Sequence, residues 1–285
     1  MPVITIAIHQ GSVQTLAMKL DLDPNRPNER SILAKLQSGA SFEPDVANVF
    51  IKVLRTGDVV ADIGANAGYL TVLAALLVGP SGHVVAFEPD AGNVERLRGN
   101  LVLNNCTNVT VVEKAVTNRV GEVAFFINSD DSGGSALWDV GQFPGNVKTQ
   151  AAPIRLAVGA TTLDAEWQSR GLAAPRLIKI DTEGAEQFVL EGARELLRDQ
   201  QCRFVIAELH SFGLEKMGCN QATFRGLAAS YGYSTFALLH SGALPRYFPA
   251  GTSIETTYAV NILLSRPEWV AEAWPAAAFD PRDPR

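Results

Sequence analysis

The chain reads as an α/β protein, a doubly wound, mostly parallel sheet carrying a small N-terminal cap. Three observations predict this. From Asp58 onward, short β-branched runs alternate with helical stretches, the pattern of a parallel sheet with helices on both faces. Several runs, such as Val59-Val60-Ala61 and Val205-Ile206-Ala207, are apolar without alternation, as strands buried on both sides are. A glycine-containing turn, Asp62-Ile63-Gly64-Ala65-Asn66-Ala67-Gly68, joins a strand to a helix near the start of the series.

The elements follow in order. Residues 1–55 form the cap: Val3-Ile4-Thr5-Ile6-Ala7-Ile8 alternates like a short strand, residues 21–28 are polar and turn-rich, and Ser41-Phe42-Glu43-Pro44-Asp45 starts a helix with Val46, Val49, Phe50 and Val53 on one face. Residues 56–266 form the main domain. Its strands are expected at 58–63, 83–87, 109–112, 177–180, 204–209, 234–239 and 258–264, with helices at 69–78, 93–103, 186–197 and 221–230. Two further strands, 123–127 and 154–158, flank a Gly/Ser/Asp-rich loop. Residues 267–285, with Pro275, Pro281 and Pro284, read as a loosely ordered tail.

Composition excludes several classes. The 285 residues are 47% hydrophobic and 19% charged, enough apolar content for a real core and too much for a disordered chain. The net charge of −6 argues against a nucleic-acid or anionic-membrane partner, since either attracts a basic surface. Cys106, Cys202 and Cys219 form no CxxC pair, so neither a zinc site nor a disulfide framework is readable, and a reducing cytoplasm fits. The N-terminus has no basic n-region. The longest apolar run, 70–78, is far short of a membrane span.

The sharpest signal is the glycine turn, placed where open α/β sheets bind ligands. A nicotinamide-type loop wants G-x-G-x-x-G, but Asn66 stands at the second glycine and Asp62 precedes the first. An acid there repels a pyrophosphate and attracts an amino group. S-adenosylmethionine, a nucleoside with an amino-acid tail and no phosphate, suits the loop. Glu88 ends the next strand, where an acid about 20 residues past the loop binds ribose hydroxyls.

These residues carry a resemblance. Asp62-x-Gly64-Ala65-Asn66-x-Gly68-Tyr69, Ala86-Phe87-Glu88-Pro89, Leu97–Asn100 with Asn104-Asn105, and Thr162-Leu163-Asp164 are similar to the FkbM-type branch of class I S-adenosylmethionine-dependent methyltransferases. So are Leu177-Ile178-Lys179-Ile180-Asp181-Thr182-Glu183-Gly184-Ala185-Glu186, Val189-Leu190-Glu191-Gly192-Ala193 and Glu208-Leu209-His210. Thr182 stands where that branch more often has valine. The resemblance covers roughly residues 43–265. It implies a Rossmann-like sheet of seven strands with the last antiparallel, and methyl transfer to a hydroxyl of a small molecule, sugar or natural product. It places Asp62 and Gly64 at the methionine end of the cofactor, Glu88 at the ribose, and the Glu113-Lys114-Ala115 corner beside the adenine, with Asn66 and Gly68 completing the loop.

An aliphatic hydroxyl needs a base as it attacks. Asp181, Glu208 and His210 end two neighbouring strands and are the candidates. The same three could instead ligate Mg²⁺ or another divalent cation. Glu183 and Glu186 also read as helix-capping acids. Residues 128–145 read as a lid or a mobile loop, with Trp138 and Phe143 able to stack on an acceptor, while Trp167, Trp269 and Trp274 read as packing or tail residues. The partner expected is a small-molecule or glycoside acceptor, with residues 1–40 a candidate homodimer segment. The alternatives are nitrogen or macromolecule methylation, a non-catalytic S-adenosylmethionine-binding protein, and a nicotinamide oxidoreductase.

Overall fold

The computed structural model describes residues 3–10, 14–199, 202–238, 244–255 and 259–275. In chain order the cap holds a hairpin, β1 (Val3–Gln10) and β2 (Gln14–Asp21), then α1 (Pro27–Gln37) and α2 (Pro44–Val53). The main domain continues with β3 (Val59–Ile63), α3 (Tyr69–Val78), β4 (His83–Phe87), α4 (Ala91–Leu103), β5 (Val109–Val112), β6 (Ala115–Val116), β7 (Gly121–Ile127), α5 (Val147–Ala151), β8 (Ile154–Thr161) and α6 (Leu163–Arg170). Then come β9 (Leu177–Ile180), α7 (Glu186–Glu191), β10 (Phe204–His210), α8 (Ser211–Lys216), α9 (Gln221–Ser230), β11 (Ser234–Ala237), β12 (Arg246–Phe248), β13 (Ala259–Ser265) and α10 (Pro267–Ala273).

The main sheet runs β12-β11-β13-β10-β9-β3-β4-β5. Strands β5, β4, β3, β9 and β10 are mutually parallel, and β13 is antiparallel to both neighbours. The expected seven strands with an antiparallel last strand are present, and the short edge strand β12 makes an eighth. Alternate residues feed opposite faces. Val60, Val84 and Leu177 join a core with the cap, α2 and α3. Ala61, Val85 and Ile178 join a core with α6, α7 and α9. The chain leaves β3 toward β4 on one side and returns at β9 on the other, so the carboxyl ends of β3 and β9 form the switch point where such sheets bind ligands.

Several expectations change. The strands expected at 123–127 and 154–158 are β7 and β8, which pair with β6 in a separate three-stranded sheet. The helix expected over 186–197 stops at Glu191 and resumes as a π-helical turn, Glu195–Asp199. A Cβ on Gly192 would meet the Thr117 carbonyl oxygen at 2.2 Å, so the chain bends where another backbone passes. The tail is not loose at its start: α10 begins at Pro267, and Val270 and Trp274 are buried. Leu239, Tyr258, Pro281 and Pro284 lie outside the described residues. Helix α1, for most of whose length the sequence reading named no element, buries Ile32 and Leu33. No helix among the described residues is long and apolar enough to cross a membrane.

Candidate active site

The glycine turn leaves β3 in the left-handed region, with Gly64 at φ 76°. The N–H groups of Gly64 and Ala65 both donate to the Phe87 carbonyl at 3.0 Å, hanging the turn on the end of β4. Glu88 follows directly. Its Oε2 accepts from the Asn66 N–H at 2.8 Å and its Oε1 from the Asp90 N–H at 2.9 Å. One buried carboxyl therefore joins the turn to the start of α4, and burial raises its pKa to about 7.

Two clefts open over these strand ends. The first is lined by the carboxyl ends of β3 and β4 and by residues of the β6, β7 and 128–145 region. Gly64, Asn66 and Glu88 line one side, and Ala115, Val116, Phe125 and Leu137 the apolar other. Ser132 and Gly133 also line it, and Asn93 Nδ2 donates to the Ser132 carbonyl at 3.2 Å. Four of the six residues predicted for cofactor binding, Gly64, Asn66, Glu88 and Ala115, thus lie on one wall or another of a single cleft. Gly68 instead starts α3. Asp62 is fully buried and lines neither cleft; its Oδ2 accepts from the Thr71 hydroxyl.

The second cleft is acidic. Glu43, Asp131, Asp181, Glu183 and Glu208 place five carboxyl groups around it, with the Lys179 ammonium also on its wall. Phe42 and Tyr69, edge to face at 5.5 Å, form an apolar side. Burial, with Asp181 nearby, raises Glu43 to about 7. Burial and Asp181 also push Glu183 and Glu208 well above the usual carboxylate range. Gly64, Asn66, Gly133 and Asp181 line both clefts, so the two meet at the carboxyl ends of β3 and β9.

The three base candidates do not converge. Asp181 and Glu208 reach the acidic cleft, whereas His210 lines neither cleft and is 2% exposed. Its Nδ1 accepts from the Gly213 N–H at 3.2 Å and caps α8. Burial lowers its pKa. The expected metal set is corrected in the same way. The carboxyl oxygens of Asp181, Glu183 and Glu208 lie within 4.8 Å of one another, and His210 is outside that group. Glu186 does not cap α7 but holds the turn before it: its Oε1 accepts from the N–H groups of Thr182 and Gly184 at 3.1 and 3.0 Å.

Residues 128–145 form a pinned cover rather than a mobile loop. Asn128 Oδ1 accepts from the N–H groups of Asp130 and Asp131, and Asp130 holds the N–H groups of Lys148 and Thr149. Trp138 is buried, donates its Nε1–H to the Glu183 carbonyl at 2.6 Å, and packs with Phe212. Phe143 packs against the same Phe212 ring. Neither ring lines either cleft, so their expected stacking on an acceptor is not made in this arrangement.

Sequence reading missed Lys179, Glu43 and Glu183 as site residues. A lysine inside the apolar strand Leu177-Ile178-Lys179-Ile180 was the available signal for the first. Glu43 and Glu183 share another trait, left-handed backbone at φ 42° and 57°, which a sequence does not announce.

The comparisons bear on this geometry. The family model described as the methyltransferase FkbM domain matches residues 62–235. Among curated proteins, the chain is 29% identical over 157 residues to the 2-O-methyltransferase NoeI of Sinorhizobium fredii, covering 53% of this chain and 62% of that protein. It is 25% identical over 169 residues to the hexuronic acid methyltransferase AglP of Haloferax volcanii, covering 59% and 63%. It is 30% identical over 179 residues to the 31-O-demethyl-FK506 methyltransferase FkbM of Streptomyces tacrolimicus, covering 55% and 67%. The chain thus spans less than two thirds of the length of the first two of these relatives and 67% of the third. The family segment takes in more than half of the chain and runs from β3 through β11, both strand ends of the switch point included; the chain belongs to the FkbM methyltransferase domain family.

Proposed function

We propose that the chain is an S-adenosylmethionine-dependent O-methyltransferase acting on a hydroxyl of a small molecule, sugar or natural product. The observation that carries this reading is the meeting of two chemically different clefts at Gly64, Asn66, Gly133 and Asp181.

The first cleft fits the cofactor. Glu88 offers a carboxyl to a ribose diol, and Ala115, Val116, Phe125 and Leu137 make an apolar slot suited to a purine. Gly64 and Asn66 bring backbone against the amino-acid portion. S-adenosylmethionine, when bound, supplies a sulfonium methyl group already activated for displacement.

The second cleft takes the acceptor. Its carboxyl groups accept hydrogen bonds from hydroxyls, and its Phe42 and Tyr69 side supports an apolar face. Glu208 and Asp181 are the base candidates that reach this cleft. A carboxyl whose pKa lies near the working pH can take the proton an acceptor hydroxyl releases, and burial with Asp181 alongside moves Glu208 in that direction. Two of the relatives above carry an oxygen-methyl transfer in their names. Cys106, Cys202 and Cys219 are free thiols, which suits a cytoplasmic enzyme. Incubation with S-adenosylmethionine and a panel of glycosides and polyols, read by mass spectrometry for one added methyl group, tests the reading. Methylation of amines alone would contradict it.

A further inference from the structure

Lys179 is a buried cation in the middle of the sheet, and the proposed chemistry has not used it. It is 5% exposed and sits in β9 among Leu177, Ile178 and Ile180. Its ammonium donates to the Gly64 carbonyl at 2.8 Å. It lies 3.2 Å from Asp181 Oδ2 and 3.7 Å from Asp62 Oδ1. Burial alone would lower its pKa, but the carboxyls of Asp181, Asp62 and Glu43 outweigh that and raise it.

A buried ion pair is weak evidence for a stabilising role, because apolar side chains of similar volume often serve as well. What distinguishes Lys179 is the identity of its partners. One is the backbone of the glycine turn, and another is Asp181, which lines both clefts. The third, Asp62, is the buried acid beneath that turn. The Ile63 carbonyl, at 3.5 Å, adds a second backbone oxygen from the end of β3.

We propose that Lys179 is a positioning residue of the methyl-transfer site: its ammonium ties the Gly64 carbonyl to Asp181 and so holds the boundary between the two clefts in its binding-competent shape. The inference rests on the reading of the first cleft as the S-adenosylmethionine site. Preorganised shape improves affinity by removing the need to order the site on binding. Lys179 also stands on the wall of the acidic cleft, but the role proposed for it is exerted through Gly64 and Asp181.

Lys179→Met leaves Asp62 buried without its counter-ion and can fail to fold. The Asp62→Asn, Lys179→Met double variant removes both buried charges and keeps the proposal testable. Both are titrated calorimetrically with S-adenosylhomocysteine, and backbone hydrogen exchange is followed across residues 62–69 and across β4. Trp274→Ala, remote from both clefts, serves as the control for lost stability. The expected result is that the double variant binds S-adenosylhomocysteine about tenfold or more weakly. Its 62–69 segment exchanges faster while β4 does not, and Trp274→Ala melts earlier with affinity unchanged. Affinity within about twofold of wild type in a folded double variant, or a rise in exchange spread evenly over the sheet, overturns the inference alone. Wild-type protein that fails to bind S-adenosylhomocysteine overturns the cofactor reading and the inference together.

Discussion

Gly64 and Asp181 approach so closely that a Cβ on Gly64 would lie 1.8 Å from the Asp181 carbonyl oxygen. The contact joins the turn after β3 to the end of β9, the two strands that frame the site. Gly64→Ala must therefore move one of two backbones as well as adopt φ 76°. The expected loss is about 2–4 kcal/mol in denaturant unfolding, with cofactor binding lost. Gly99→Ala is the contrast. Gly99 lies within α4, and a Cβ there meets nothing within 4 Å. That change should stabilise by roughly 0.5–1 kcal/mol.

Glu186 gives a pH prediction. It is fully buried, and burial raises its pKa from the ordinary 4.5 to about 7. Between those values the folded chain keeps a proton that the unfolded chain has released. The stability linked to this group is present below pH 4.5 and is lost as pH rises through 7, by up to about 3 kcal/mol. Glu88 shifts in the same direction. Glu186→Gln should flatten the fall in stability between pH 5 and 7 and leave the protein at least as stable at pH 7. An unchanged slope in pH-resolved unfolding curves would refute this.

Glu208 and His210 end the same strand, but only Glu208 reaches the acidic cleft. Glu208→Gln should lower methyl transfer by roughly 10²-fold or more while cofactor affinity is retained. His210→Asn should preserve transfer, because asparagine can still accept from the Gly213 N–H and cap α8. Steady-state rates for the two variants decide between them; a larger loss at His210 would return the imidazole to the mechanism.

The cluster Asp181, Glu183 and Glu208 can be tested for a metal directly. The Lys179 ammonium already stands 3.2 Å from Asp181 Oδ2 and balances part of the charge a divalent cation would balance. EDTA should leave transfer unchanged. A loss that Mg²⁺ restores would make these carboxyls ligands instead.

Much of the fold was legible because strands buried on both faces have to be apolar. Val59–Ile63, His83–Phe87 and Leu177–Ile180 lie where the sequence reading put them, give or take a residue. The glycine turn and Glu88 were legible because a strand-to-helix turn and the acid after the next strand are local in sequence. The acidic cleft was not, since Glu43 comes from the cap while Glu183 and Glu208 follow β9 and end β10. The cap was only partly legible for the same reason. Its hairpin is docked by Asn104, which exchanges hydrogen bonds with the Lys19 backbone, and by Asn100, which accepts from the Asp21 N–H and donates to the Ala67 carbonyl. Those two asparagines read in the sequence only as part of a family motif. The sequence could not show that the His210 side chain turns to cap the next helix, with its Nδ1 3.6 Å from Glu183 Oε2.

If the first cleft binds S-adenosylmethionine, Glu88 on its wall contributes to that binding. The most direct measurement is calorimetric titration of wild-type protein and Glu88→Ala with S-adenosylhomocysteine and with NADH, after circular dichroism confirms that both proteins are folded. S-adenosylhomocysteine should bind the wild type, Glu88→Ala should weaken it about tenfold or more, and NADH should not bind. Binding of NADH, or S-adenosylhomocysteine affinity indifferent to Glu88, would contradict the cofactor reading.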